Sequence, residues 1–193
     1  AIYAGFKEII FVTHSSKYSI ENHFDNSFEL EATLEKRVKR GTLKEIQAIS
    51  KLNISMQSIR QGEAKGLGHA ILCAERLIGK EPFAVILPDM LISTDDGNPG
   101  DSLKEMRLNF EKEQISSVLL GKAKKADIPK YGIAKIKKNS RLPGLGLIKE
   151  MIEKPSIKKA PSNLYAVGRY IFNNDFFKYL RKVKPDKTNE IQL

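Results

Sequence analysis

Short apolar runs alternate with stretches of helical periodicity over the first part of the chain. Four runs rich in β-branched and aromatic residues predict strands over residues 8–13, 53–59, 83–87 and 115–120. Apolar residues three and four apart predict helices over residues 16–24, 26–41, 43–49, 67–78 and 102–113. Strands that alternate with helices favour a mainly parallel sheet flanked by helices on both faces.

Two of these segments carry a more detailed expectation. The run over residues 8–13 is continuous rather than alternating, which is typical of a strand buried on both faces. In the helix over residues 67–78, the apolar side is predicted to consist of Ala70, Ile71, Ala74 and Leu77, and Gly79 is predicted to end the helix.

The second half of the chain has a different pattern. Residues 132–137 alternate apolar and basic side chains, as a half-exposed strand does. Further strands are predicted over residues 147–153 and 164–172, followed by a helix from about residue 174. We therefore expect an α/β fold with a mixed, mainly parallel sheet and a small antiparallel β layer in the second half. No repeat or linker divides the chain, so residues 1–193 are expected to form a single domain.

The composition argues against a membrane-spanning, disulfide-bonded, zinc-binding or secreted protein. Apolar residues make up 41% of the 193 residues, and no apolar run has the length needed to cross a bilayer. Cys73 is the single cysteine, so it cannot form an internal disulfide, and no zinc-type cluster accompanies it. The first residues lack a signal-peptide pattern. A cytoplasmic protein without membrane contact is the expectation.

The net charge of +10 leaves several interpretations open. It fits a solvated basic surface, an anionic small-molecule substrate, or nucleic-acid binding. The lysines and arginines are spread along the chain and do not alternate with aromatic residues as a base-stacking surface would.

Residues 60–70 form a glycine-rich segment between a predicted strand and a predicted helix. Leu67 follows Gly66, so the segment is not a P-loop, and Ile71 stands where a dinucleotide fingerprint requires a glycine. Backbone N–H groups at the start of a helix can still face an anionic or planar ligand, and Gln61 offers both a donor and an acceptor. The alternative is a tight connection without a ligand.

Polar residues follow other strands. Asp89 comes directly after the apolar run 83–87, where an open α/β sheet binds ligands, and it could hold Mg²⁺ or brace a loop. Glu153 and Lys154 could bind sugar hydroxyls and a phosphate, or form an exposed ion pair. Gly132 would allow a ligand to approach the backbone closely. Together these positions suggest a site for a nucleotide and a phosphorylated sugar.

The order and spacing of these segments resemble those of the bacterial UTP–glucose-1-phosphate uridylyltransferases. The segments that carry the resemblance run the length of the chain and are residues 12–17, 21–25, 34–40, 60–62, 65–70, 86–89, 153–155, 160–164, 167–170 and 189–193. The resemblance implies a fold of the nucleotide-diphospho-sugar transferase type. It also implies transfer of a uridylyl group from UTP to glucose-1-phosphate, giving UDP-glucose and pyrophosphate, with Mg²⁺ as cofactor.

The resemblance assigns roles to individual residues. It places Gln61 and the backbone of Gly66 against uracil, Asp89 on Mg²⁺, and Gly132 and Glu153 against the glucose ring. It places Lys154 on the sugar phosphate, so that Asp89 and Lys154 take the catalytic roles. It further implies a homodimer or homotetramer, and it implies neither a nucleic-acid nor a membrane partner.

Two elements of the family find no match in this sequence. They are the N-terminal glycine-rich loop that holds the triphosphate and a later Asp-Cys-Gly segment that supplies a second Mg²⁺ ligand. The expectation is therefore a fragment that lacks both termini and has little activity alone. The alternatives are a non-catalytic regulatory paralogue of the same family and a basic nucleic-acid-binding module.

Overall fold

The computed structural model describes residues 1–15, 17–24, 33–36, 41, 54–92, 97–138 and 145–193. The contacts of these residues group the chain into two compact units. The first unit combines Ala1–Gly79 with Asp175–Leu193, and the second is Lys80–Asn174. Apart from residues 33–36 and 41, the helices predicted over residues 26–41 and 43–49 lie outside the described residues. The prediction of a single domain over residues 1–193 stays a prediction.

The described residues form seven strands and four α-helices. The strands are β1 (Glu8–Thr13), β2 (Ser55–Arg60), β3 (Phe83–Ile86), β4 (Ser117–Lys122), β5 (Gly132–Lys138), β6 (Gly146–Glu153) and β7 (Leu164–Phe172). The helices are α1 (Tyr18–Phe24), α2 (Gly66–Ile78), α3 (Asp101–Glu113) and α4 (Phe176–Leu180). Short 3₁₀ helices occupy Ile2–Ala4 and Lys125–Lys130. Each of the strands and α-helices lies within two residues of a segment predicted from the sequence.

The first unit contains a parallel pair of strands with helices beside it. Strands β1 and β2 pair in register from Glu8 with Ser55 to Thr13 with Arg60. Helix α2 packs against both strands and against α4. The expectation that residues 8–13 are buried on both faces is wrong, because Glu8 and Val12 are exposed and β2 is the one partner of β1 among the described strands.

Helix α2 has a narrower buried side than its sequence indicates. Gly68, Ile71 and Ala74 are buried, whereas Leu77, which was predicted to be buried, is 39% exposed. Leu77 continues the three-residue spacing of these buried residues, so the buried row ends at Ala74, one turn before the end of the helix. Gly79 ends the helix with a φ of +64°, as predicted.

The second unit is built around β7. This strand pairs antiparallel with β3, β4 and β5, and β6 extends the sheet from β5. The sequence pattern assigned β3 and β4 to the parallel layer, and that assignment is wrong, because both strands pair with β7 and not with each other. The prediction of an α/β fold with a parallel sheet, flanking helices and a small antiparallel sheet is confirmed.

The core of the second unit lies between its sheet and α3. Leu103, Met106 and Phe110 form the buried side of α3, which packs on β4 and β7. Ile133 and Ala134 of β5 are completely buried. Among the helices of the described residues, none combines the length and apolar character that crossing a bilayer requires.

Phe177 offers a direct test of the packing in the first unit. Its side chain is 2% exposed, so Phe177→Ala should lower the free energy of unfolding by about 3–5 kcal/mol through lost apolar burial and a cavity. Urea denaturation followed by circular dichroism measures the change. Tyr179→Ala on the same helix is the control, because Tyr179 is 64% exposed. Equal losses in the two variants would contradict the assigned packing.

Candidate functional site

Gln61 is the second residue of the glycine-rich segment and is hydrogen-bonded to the end of a strand. Its backbone N–H donates to the Thr13 carbonyl at the end of β1, 2.8 Å away. Its side-chain Nε2 lies 3.1 Å from the Gly66 carbonyl and 2.9 Å from Nδ1 of His69. The structure therefore brings Gln61 and Gly66, the two residues predicted to contact a base, into direct contact.

The glycines of this segment have a local structural cause. Gly66 has a φ of +84°, and a Cβ there would lie 2.8 Å from the Ile191 carbonyl oxygen. A Cβ on Gly68 would lie 2.6 Å from Cγ2 of the same isoleucine. Both positions exclude larger side chains because residues 190–191 pack against them, which accounts for these glycines without a ligand.

The C-terminal segment around Ile191 also supplies a hydrogen-bond acceptor to the first turn of α2. The N–H of Gly68 donates to the Ile191 carbonyl, and the N–H of Ile191 donates to the Lys65 carbonyl, both at 2.8 Å. The first N–H groups of a helix have no partner within the helix. Of those in α2, Gly68 is supplied by Ile191, while the N–H groups of Gly66 and Leu67 have no acceptor among the described residues. Two donors thus remain available to a ligand.

Asp186 organises this C-terminal segment, and sequence reasoning did not identify it. Its carboxylate accepts hydrogen bonds from the Thr188 hydroxyl at 2.6 Å, the Thr188 N–H at 2.8 Å and the Glu190 N–H at 3.1 Å. Gln192 Nε2 donates to the other carboxylate oxygen at 2.9 Å. These donors, the Thr188 hydroxyl first, hold the pKa of Asp186 far below its usual range. The Pro-Asp-Lys-Thr-Asn composition is a turn signal that could have indicated this role.

The second unit brings Gly132, Glu153 and Lys154 together at one end of the β5–β6 pair. Gly132 pairs with Glu153, and a Cβ on Gly132 would lie 3.0 Å from the Glu153 carboxylate. Lys154 has a φ of +44°, and its N–H donates to the Tyr131 carbonyl at 3.1 Å. Its Nζ lies 3.5 Å from the Glu153 carboxylate, and both side chains are more than half exposed. A carboxylate and an ammonium group thus stand beside an open glycine.

Tyr131 stabilises the backbone next to Gly132 and Lys154. Its ring stacks on that of Tyr165, with 4.6 Å between the ring centres. Because Tyr131 precedes Gly132 and accepts the Lys154 N–H, the stacked pair fixes the backbone on which Gly132 and Lys154 depend.

Asp89 lies in the turn that follows β3 and is exposed. Arg169 of β7 holds this turn, because its guanidinium donates to the carbonyls of Leu87 at 2.9 Å and Met90 at 2.8 Å. Burial lowers the pKa of Arg169, and the charge of Asp89 opposes that shift. Arg169 is a positioning residue that sequence reasoning missed, since its partners are backbone atoms 79–82 residues away in the chain.

Tyr170, the residue of β7 that follows Arg169, interacts electrostatically with Glu153. Burial raises the pKa of the Tyr170 hydroxyl, and the negative charge of Glu153 raises it further. Two consecutive residues of β7 therefore interact electrostatically with the two candidate carboxylates of the second unit. The charge of Asp89 affects the pKa of Arg169, and the charge of Glu153 affects the pKa of Tyr170.

Asp89 is the residue predicted to hold a metal ion. Across the part of the chain that is described, no three His, Cys, Asp or Glu side chains gather as a metal site. Mg²⁺ in phosphate-binding sites is commonly held by one or two carboxylates together with phosphate oxygens and water. A single exposed carboxylate such as Asp89 fits one of those protein ligands and does not make a site alone.

Comparisons with known proteins agree on one family. The family model described as nucleotidyl transferase matches residues 1–193. A UTP–glucose-1-phosphate uridylyltransferase from Haemophilus ducreyi is 47% identical over 192 residues, and the match covers 98% of this chain. This chain spans 65% of the length of that relative.

Solved structures agree in fold. A UDP-glucose pyrophosphorylase complexed with UDP-glucose has a TM-score of 0.83 and 40% identity, with 99% of this chain and 67% of that one covered. A UTP-bound UGPase from Acinetobacter baumannii has a TM-score of 0.86 and 37% identity, with 97% of this chain and 65% of that one covered.

The role of Arg169 can be tested by hydrogen exchange. Arg169→Met removes the donors to the carbonyls of the turn, and the lost hydrogen bonds should lower the free energy of unfolding by about 1–3 kcal/mol. The Leu87 amide, bonded to the Gly168 carbonyl, should then exchange faster. Arg181→Met is the control, because Arg181 forms a partly exposed ion pair with Glu75 and should change stability by less than about 1 kcal/mol. An unchanged Leu87 amide would contradict the role.

The lowered pKa of Asp186 predicts that the stability of the C-terminal segment depends on pH. Because its pKa is lower in the folded chain than in the unfolded chain, its stabilisation of the C-terminal segment is present above about pH 4 and is lost as the pH falls further. The Gly68 amide, bonded to Ile191, should lose protection from exchange in that range.

Asp186→Ala should produce the same loss of Gly68 protection at neutral pH. Asp175→Ala is the control, because the Asp175 side chain makes no capping hydrogen bond to α4. If Gly68 stayed protected in Asp186→Ala, the carboxylate would not be what holds the segment.

Proposed function

Since the chain belongs to the nucleotidyl transferase family, we propose that the protein transfers a uridylyl group from UTP to glucose-1-phosphate. The products are UDP-glucose and pyrophosphate. Support comes from the Haemophilus ducreyi relative, a UTP–glucose-1-phosphate uridylyltransferase, and from the two structural neighbours, one complexed with UDP-glucose and the other UTP-bound. The net charge of +10 suits two anionic substrates.

In the proposed reaction, a phosphate oxygen of glucose-1-phosphate attacks the α-phosphorus of UTP. A P–O bond forms to the sugar phosphate, the bond from the α-phosphorus to the bridging oxygen breaks, and pyrophosphate leaves with the electron pair. No covalent intermediate with the protein is required. The contribution of the protein is to align the two phosphates and to neutralise their charge.

The observation that carries the proposal is the arrangement of Gly132, Glu153 and Lys154. The Gly132 position lacks a side chain and faces the Glu153 carboxylate, so a sugar hydroxyl can approach the backbone and donate to Glu153. Lys154 stands beside them with an exposed ammonium group suited to the sugar phosphate. These are the groups that a sugar monophosphate requires.

The remaining roles follow the same proposal. Gln61 and the backbone of Gly66 contact the uracil edge in the first unit. Asp89 holds the divalent cation, which we propose to be Mg²⁺, and that ion supplies charge neutralisation at the phosphates. Arg169 keeps the turn that carries Asp89 in place. A cytoplasmic location and assembly as a homodimer or homotetramer are further proposals.

An enzyme assay tests the function. Pyrophosphate should be released only when UTP, glucose-1-phosphate and Mg²⁺ are all present, and UDP-glucose should appear in equal amount. Lys154→Met should lower kcat/KM for glucose-1-phosphate on the order of 10²-fold, because a charge that neutralises the sugar phosphate is lost. Chromatographic separation of the nucleotide products measures both.

The control for this assay is Lys158→Met, which removes an exposed lysine from the turn after Pro155. It should leave kcat/KM unchanged. Equal losses in the two lysine variants would contradict the role of Lys154. Failure of the unsubstituted protein both to bind UTP and glucose-1-phosphate and to form UDP-glucose would overturn the function.

A further inference from the structure

The side-chain amide of Gln61 has both of its N–H bonds occupied. Its Nε2 lies 3.1 Å from the Gly66 carbonyl oxygen and 2.9 Å from Nδ1 of His69. An amide nitrogen has two protons and no acceptor capacity, so these two contacts use its whole donor set.

These contacts fix which way the amide points. A backbone carbonyl can only accept, so the atom of Gln61 that faces Gly66 must be the nitrogen. The opposite orientation would place the side-chain oxygen 3.1 Å from the Gly66 oxygen, with two acceptors facing each other. The carbonyl oxygen Oε1 is left with no donor among the described residues of the chain.

The same argument fixes the tautomer of His69. Because the Gln61 nitrogen donates, Nδ1 must accept, and the ring proton is then on Nε2. Sγ of Cys73, one helical turn further along α2, lies 4.0 Å from the same Nδ1 and can donate weakly to it. His69 lies in the first part of α2, so the helix backbone holds the ring against Gln61.

We propose that His69 is a positioning residue for nucleobase recognition. It holds the Gln61 amide in one orientation, a contact that we call the lock, so that the Gln61 oxygen Oε1 is presented to the base as a hydrogen-bond acceptor. This role rests on the proposed function. The Gly66 N–H, which has no acceptor among the described residues, supplies a donor on the same segment. Acceptor and donor together match a base edge in which an N–H lies beside a carbonyl, as in the imide of uracil or thymine.

The fixed orientation of the Gln61 amide predicts selection against cytosine. Ring atom N3 of cytosine has no proton, so it would face Oε1 as a second acceptor. Rotation of the Gln61 amide could relieve this contact, but it would break both hydrogen bonds to Gly66 and His69. A polar group left unpaired in a site is what gives a strong rejection of the wrong ligand.

The test compares UTP with CTP in two His69 variants. His69→Leu removes the acceptor and should lower the ratio of kcat/KM for UTP to that for CTP by about 10-fold, because the amide can then rotate. His69→Asn keeps an acceptor oxygen close to the place of Nδ1 and should restore most of the ratio. Loss of helix packing alone would reduce both values together and leave their ratio unchanged.

A spectroscopic measurement tests the lock without any nucleotide. The ¹⁵N shifts of the His69 ring in the free protein should show an unprotonated Nδ1 coupled to the Gln61 side-chain amide. His14→Leu, which changes an exposed histidine elsewhere in the first unit, should leave both the shifts and the nucleotide ratio unchanged.

The outcomes separate the two proposals. If the unsubstituted protein turns over UTP while His69→Leu keeps the full UTP/CTP ratio, the role of His69 is overturned and the proposed function stands. A proton on Nδ1 in the spectrum would also overturn the lock. If the unsubstituted protein neither binds nor turns over UTP, the proposed function fails and the base-recognition role falls with it.

Discussion

Strand β7 is hydrogen-bonded to three other strands, and this pairing places every candidate residue of the second unit. Its C-terminal half pairs with β3, so the turn carrying Asp89 begins where Ile86 lies opposite Arg169. Its N-terminal part pairs with β5, which begins at Gly132. None of its nine residues is exposed. Because β3 and β5 share one edge of β7 and β4 pairs with the other edge, a change in its register would move Asp89 and Gly132 at once.

The first unit depends on a different constraint, the need of helix N–H groups for partners. Helix α2 begins without a side-chain cap, and the Ile191 carbonyl supplies the partner of Gly68. The close approach of this segment requires glycine at positions 66 and 68. The glycine-rich composition that attracted attention in the sequence is thus explained by chain packing. Among the described residues, the groups of this segment that keep free hydrogen-bonding capacity include the Gln61 amide oxygen and the N–H groups of Gly66 and Leu67.

The sequence predicted the elements well because their signals are local. The apolar runs of β1 and β7 and the glycine that ends α2 were identified within a residue of their observed bounds. The partners of β3 and β4 were not, since an apolar run indicates burial but carries no information on strand direction. The family resemblance is confirmed by the match over residues 1–193.

The candidate site was predictable only in part. Gln61, Asp89, Glu153 and Lys154 were singled out as polar residues at or just after the ends of predicted strands, and the family resemblance then assigned their roles. Arg169 and Asp186 were not, because they act on backbone carbonyls and N–H groups. The distant carbonyl partners of Arg169 leave no signal in the sequence, whereas the turn composition around Asp186 was a signal that could have been used. His69 was visible in the sequence, but its contact with Gln61 depends on how the loop returns to the helix.

The Glu153–Lys154 pair shows how a weak interaction can serve a binding site. The two charges are 3.5 Å apart and more than half exposed, so water screens their attraction and the pair adds little to stability. Lys154 can therefore separate from Glu153 at small cost in free energy. The backbone of Lys154 is different, because its φ of +44° is unfavourable for a residue with a side chain by about 1 kcal/mol. The hydrogen bond to the Tyr131 carbonyl and the buried Pro155 hold that backbone conformation. The Lys154 ammonium group can therefore move away from Glu153 while the Lys154 backbone stays in place.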